Sequence, residues 1–156
     1  AVEAGHCLVM HAPNRQFEAV YLATEYRVFP DPLTVFVIRC GERSAAVEQL
    51  LRQHALVDWA FVTADNPRSR RLDDVENARR LTELKAVLRD AGYTCLPGSG
   101  EGRDGTWPPE PSLFVLGIQE SEAVRIATRF DQHAIVAGRL GEPARLVWTT
   151  ATMGSA

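Results

Sequence analysis

Thr63, Asp65 and Asn66 close the apolar run Trp59-Ala60-Phe61-Val62. Pro67, a basic loop (Arg68, Ser69, Arg70, Arg71) and the spaced pair Asp73-x-x-Glu76 follow. The pattern is a strand, a loop and a capped helix start, and in open α/β sheets ligands sit outside the carboxyl ends of strands. The remaining polar candidates are Asn77, Glu110, Ser112, Gln132 and His133. Amides, hydroxyls, a carboxylate and guanidinium forks together are suited to orienting a polar ligand. The arginines or a helix N-terminus would take its phosphate or carboxylate. Glu110 has the chemistry of a general base, and burial beside Trp107 would raise its pKa. The competing role for Glu110 is a loop-locking hydrogen bond. Asp65 is the alternative acid/base, or else it solvates the turn.

Asn77 lies one turn before Leu81, on or beside the apolar stripe of its helix, and a polar amide there must find partners. It either ties the helix to the preceding loop or reaches the ligand site with Asn66. His133 adjoins Gln132 at the mouth of a strand, where a structural or exposed role competes with ligand binding.

Other chemistries lack their residues. There is no G-x-S-x-G elbow, no HExxH and no His/Cys cluster at zinc spacing, so no metal is expected. The glycines of 98–105 are not followed by GK[ST], which excludes a Walker A loop, and no cofactor motif is found. Asp65-Asn66-Pro67 is a faint match to the Asn/Asp-Pro-Pro-aromatic loop of base-flipping methyltransferases, but the second proline and the aromatic are missing. Asn66 is also faintly placed like the strand-end asparagine of ADP-ribose-binding macrodomains, without their glycine run.

With 156 residues, 46% of them hydrophobic, the chain can bury the core of one domain. A formal charge of −3 argues against a dedicated nucleic-acid binder. It leaves room for a local basic patch of Arg68, Arg70, Arg71, Arg79 and Arg80. No stretch reaches the roughly 18 apolar residues of a membrane helix. Cys7, Cys40 and Cys95 are odd in number and widely spaced, which reads as reduced thiols of a cytoplasmic protein.

Periodicity predicts a short helix from Asn14, strands over 24–29 and 33–38, and a helix capped by Ser44 and ended by His54. The strand 59–63 comes next, then a helix from Asp73 with Val75, Ala78, Leu81, Leu84, Val87, Leu88 and Ala91 as its apolar stripe, stopped by Gly92. A short strand at 93–96 leads to a long glycine-rich loop, 97–105, as a lid or a plain hairpin connection. A strand over 112–118, a helix from Glu120 or Ser121, and strands 134–137 and 144–148 complete the chain. The expected fold is a single compact α/β domain over 14–149, with α+β as the alternative. Its mixed sheet of about five or six strands is flanked by about three helices. Residues 1–13 form an N-terminal extension and 150–156 a flexible tail.

The run Phe61-Val62-Thr63-Ala64-x-Asn66-Pro67 resembles a bacterial family defined as a domain of unknown function, DUF3293. Glu76-Asn77, Trp107-Pro108-x-Glu110-x-Ser112 and Phe130-x-Gln132-x-Ala134-Ile135 extend the resemblance, which covers roughly Tyr21 to Trp148. Position 65, more often apolar or cysteine in relatives, is Asp here, which implies a different ligand or chemistry if it lines the site. The family supplies no activity. The expected function is binding of, and action on, a small polar, anionic or nucleotide-like molecule by Thr63, Asn66, Arg68, Ser69, Asn77, Trp107, Ser112, Gln132 and His133, with Glu110 and Asp65 as catalytic candidates. The alternative is a non-catalytic protein- or nucleic-acid-binding module using the Arg68–Arg80 patch. Oligomeric state is not legible.

Overall fold

The structure, a computed structural model, describes residues 15–102 and 108–149, the side chains of Arg15, Gln16 and Arg68 excepted. Helix α1 (Arg15–Ala23) leads into the hairpin of β1 (Glu25–Asp31) and β2 (Thr34–Ile38). Helix α2 (Ala45–Gln53) precedes β3 (Asp58–Thr63), and a 3-10 turn (Pro67–Ser69) joins β3 to α3 (Asp74–Asp90). Then come β4 (Thr94–Glu101), β5 (Glu110–Leu116), α4 (Glu120–Arg129), β6 (Ala134–Arg139) and β7 (Arg145–Trp148).

The strands form one sheet in the order β2-β1-β4-β5-β3-β6-β7, and every neighbouring pair is antiparallel. The fold is therefore the α+β form of the expected domain, with seven strands and, among the described residues, four α-helices. The mixed sheet gives way to an antiparallel one because the chain folds in hairpins, β1–β2, β4–β5 and β6–β7. β3 carries a continuous apolar run, Trp59 to Val62. Its cause is cover on both faces. Trp59 and Phe61 point towards Val47 and Leu51 of α2, while Ala60 and Val62 meet Leu84 and Leu88 of α3 and Ile126 of α4.

Local signals hold at most boundaries. Ser44 accepts from the Val47 amide at 3.2 Å and His54 is the C-cap of α2. Asp73 accepts from the Glu76 amide at 2.8 Å, whereas the Glu76 carboxylate is engaged by Arg79. The apolar stripe of α3 needs correcting at its start: Val75 is 82% exposed. Asn77 is the residue buried one turn in, with Leu84 and Leu88 after it. Trp59 is core.

The glycine-rich segment also differs from expectation. Pro97 to Glu101 are not loop: they lengthen β4, and Gly98 and Gly100 pair with Ser112 and Glu110 of β5. β4 and β5 pair as antiparallel neighbours, and residues 103–107 between them, with Trp107, lie outside the described residues, as do residues 1–14 and the tail from 150. Thr149 is held down: it is buried, and its hydroxyl donates to the carbonyls of Gln132 and His133.

Candidate functional site

Strand period places the site. On the face of the sheet shared with α2, alternate residues of β1, β4, β5, β3 and β6 bring Tyr26, Gly100, Glu110, Ser112, Phe61 and Thr63 to one region, with Val136 beside them. Helix α1 lies over them with Phe17, Val20 and Tyr21. Between helix and sheet is a cavity of about 260 Å³. Gly100 keeps it open, because a Cβ there would meet only Thr24 and Tyr26, at 3.8 and 3.9 Å. Gly98 has no such room: its Cβ would lie 2.7 Å from the Arg27 carbonyl oxygen and the Phe61 ring.

The end of β3 supplies the polar side. Thr63 donates to the Pro111 carbonyl at 2.8 Å and accepts from the Asp65 amide at 3.1 Å, fastening the end of β3 to β5. Asn66 then takes a left-handed backbone, φ 48° and ψ 65°, which asparagine tolerates better than most residues. Its side-chain oxygen accepts from the Leu72 amide at 2.9 Å and from Asn77 Nδ2 at 3.0 Å, and its own amide donates to Asn77 Oδ1 at 3.0 Å. Backbone amides only donate, so both asparagine orientations are fixed by the network. Asn66 Nδ2 is thereby turned towards Glu110 and donates to Oε1 at 2.8 Å. Gln132 donates to the carbonyls of Asp65 and Phe130 at 3.0 and 3.2 Å. Arg80 donates to the Ala64 carbonyl at 2.7 Å and to that of Phe130.

Asp65 differs from the rest. Its residue is 5% exposed, and Oδ1 is buried without a hydrogen-bond partner. Burial, with the charge of Glu110 as the next cause, pushes its carboxyl from 3.8 up to about 6, and Arg80 offsets this only in part. The phenol of Tyr21, 3.4 Å from the Ser69 hydroxyl, is also raised, by burial first and by Glu110 among the lesser causes. Cys40 and Cys95, half-buried, have thiols pushed up to about 11 by desolvation, which makes them poor nucleophiles.

The sequence candidates divide accordingly. Thr63, Asp65, Asn66, Ser69, Glu110, Ser112 and Gln132 converge on the cavity. Asn77 ties α3 to the loop, and with Asp65 and Asn66 it borders an adjoining cavity of about 240 Å³ that also meets Arg71 and Asp74. His133 does not line either cavity; its ring stacks on Phe17 with centroids 5.3 Å apart. Ser112 donates to the Glu110 carbonyl, so it braces the strand start. Two of the arginines are engaged within the fold: Arg79 pairs with Glu76 and Glu83, and Arg80 turns inward to the two carbonyls. Trp107 and the Arg68 side chain lie outside what is described. Sequence reading missed the aromatic wall of Phe17, Tyr21, Tyr26 and Phe61, whose apolar periodicity reads as ordinary core. Among the described residues no helix is long and apolar enough to cross a membrane, and no group of three His, Cys, Asp or Glu is arranged to hold a metal.

No curated protein and no solved structure matches the chain. A family model does, over residues 62–135, which takes in every polar residue named above as converging on the cavity. The model matching that segment, from the end of β3 to the start of β6, is that of DUF3293, a family of proteins of unknown function.

Proposed function

We propose that this chain binds a small polar molecule in the cavity beneath α1 and that Asp65 and Glu110 are the groups that act on it. The supporting observation is the convergence of seven polar side chains, from β3, β5, the loop after β3 and the loop before β6, on one aromatic-walled cavity. At about 260 Å³ it sits just below the roughly 300–1,000 Å³ of drug-sized sites, the scale of a small metabolite. Glu110 Oε1, held as an acceptor by Asn66, and Asp65, whose carboxyl is pushed up to about 6, are groups of the kind proton transfer requires. The engagement of Arg79 by Glu76 and Glu83, and of Arg80 by backbone carbonyls, weakens the alternative of a nucleic-acid or protein footprint. The reading extends to a bacterial cytoplasm, supported by the free thiols of Cys40 and Cys95.

Gly100→Val tests the cavity. The branched side chain suits the strand and meets nothing closer than 3.8 Å at its Cβ, so the fold persists while the cavity fills. A screen of metabolites by thermal unfolding should give hits with the wild type that vanish in the variant, since only native-state binding raises the midpoint. Hits equally strong in a folded Gly100→Val protein would sink the assignment.

A further inference from the structure

We propose that two copies of this chain pair through the outer edge of β2, antiparallel about a two-fold axis at Val35, so that their sheets join into one. β2 (Thr34–Ile38) stands at one end of the sheet and, among the described residues, pairs only with β1. A strand in that place presents a row of backbone N–H and C=O groups to any extended chain that comes alongside, and folded proteins blunt such edges with charge, proline or a bulge. Thr-Val-Phe-Val-Ile carries no charge and no proline, and the register irregularity of the hairpin falls between Val28 and Asp31 of β1. The opposite edge is guarded: β7 is four residues long and opens on Arg145, which pairs with Glu120.

The side chains along that edge are apolar and open to solvent. Phe36 and Ile38 turn to the core with Val47 and Leu51 of α2, so strand alternation sends Val35 and Val37 to the other face. Val35 is 51% exposed, and Leu33, in the turn before β2, is 98% exposed. Neither lines the cavity, so the inference stands apart from the ligand reading.

The same residues say what covers them and in which register. Directly opposed residues of an antiparallel pair share a face and touch. With Val35 on the axis, Val35 meets its own copy and Leu33 meets Val37 on either side of it. The three exposed positions then cover one another. This register also brings Arg39 of each chain to the other chain's hairpin turn, where Asp31 is exposed and is fixed by the Leu33 amide and the Thr34 hydroxyl. Arg39 pairs with Glu25 through Nη2, and a guanidinium has further donors to give. Opposite charges thus meet at both ends, with no charge between them. Moving the axis to Phe36 would set Arg39 against Leu33 and leave Asp31 unmatched. Because one patch meets itself, the contact closes at two chains.

A contact of a few residues a side is of the small, weak class, so the test is sedimentation equilibrium in a concentration series up to about 1 mM. The wild type should pass from one chain to two, and hydrogen exchange at the amides of 33–38 should slow as it does. Val35→Lys and Val35→Asp should each stay monomeric with an unchanged circular dichroism spectrum, because like charges meet on the axis. Mixed one to one, the two variants should dimerise with each other, which only a residue facing its own copy allows. A wild type monomeric at every concentration would overturn the proposal, as would a dimer that survives in both variants or leaves 33–38 unprotected. Loss of the dimer in each variant without recovery in the mixture would overturn the axis at Val35, and assemblies larger than two would overturn the closed pair. Should a charge at position 35 unfold the chain, Leu33→Lys takes its place at a fully solvated site. It should weaken the dimer roughly tenfold by burying an unpaired charge against Val37, and an unchanged dissociation constant would overturn the contact.

Discussion

Replacing Asp65 by Asn should stabilise the protein, and only above about pH 4. The aspartate carboxyl goes from 3.8 in the unfolded chain to about 6 in the fold, raised by burial and then by Glu110, with Arg80 opposing and Asp74 adding slightly. A carboxyl whose pKa is raised on folding binds its proton more tightly in the native state. Its contribution is therefore fully present below pH 3.8 and is lost as pH rises through 6. Each tenfold change in acidity is worth about 1.4 kcal/mol, so the complete loss approaches about 3 kcal/mol. Water on the open side of the cavity screens part of it, which brings the working figure to about 2 kcal/mol.

Asparagine has nearly the same shape and no charge to desolvate. Urea unfolding at pH 4, 5, 6, 7 and 8 should show the two proteins equal at pH 4 and the variant ahead by about 2 kcal/mol at pH 8. In a domain of this size that is roughly 4–8 °C in Tm. A gap that does not change with pH, or a variant less stable than wild type at pH 8, would refute the reasoning, because either result means that Asp65 is not a desolvated charge.

Two other substitutions probe the frame around that carboxylate. Asn77→Leu keeps the volume but strands the Asn66 amide and takes a donor from Asn66 Oδ1; it should cost about 2–4 kcal/mol in urea unfolding at all pH values, and a loss under about 0.5 kcal/mol would mean that water replaces the amide. Arg80→Met strands the carbonyls of Ala64 and Phe130 and removes the cation that holds the Asp65 carboxyl down. It should cost about 1–3 kcal/mol and move the Asp65 titration, followed by carboxyl NMR, further upwards; an unmoved titration would show that Arg80 does not reach Asp65 electrostatically.

Much of this protein could be read locally. Ser44 and Asp73 cap their helices as their spacing requires, since a cap depends on residues three positions away. Asp65, Asn66, Glu110, Ser112 and Gln132 stood out because a polar residue at a strand end next to apolar runs has no packing reason to be there. Asn77 stood out in the same way, as an amide on a buried helical face. What the sequence by itself determined was thus the set of elements, their caps and the polar residues that needed partners.

Tertiary structure decided the rest. The antiparallel sheet was hidden because a β3 covered on both faces has the same apolar run whether its neighbours are parallel or antiparallel. Gly98 and Gly100 looked like loop because glycine is poor in strands, and only the close approach of Phe61 at one and the open cavity at the other explain them. The aromatic wall was invisible for a related reason: Tyr21 on α1 and Tyr26 on β1 are core-type residues until the fold leaves a space between them and Glu110. The surroundings of the arginines also needed the third dimension. Of the five close in sequence to Asn66, Arg80 turns to backbone carbonyls and Arg79 pairs with its own helix, while Asp65 and Glu110, 45 residues apart, line the same cavity.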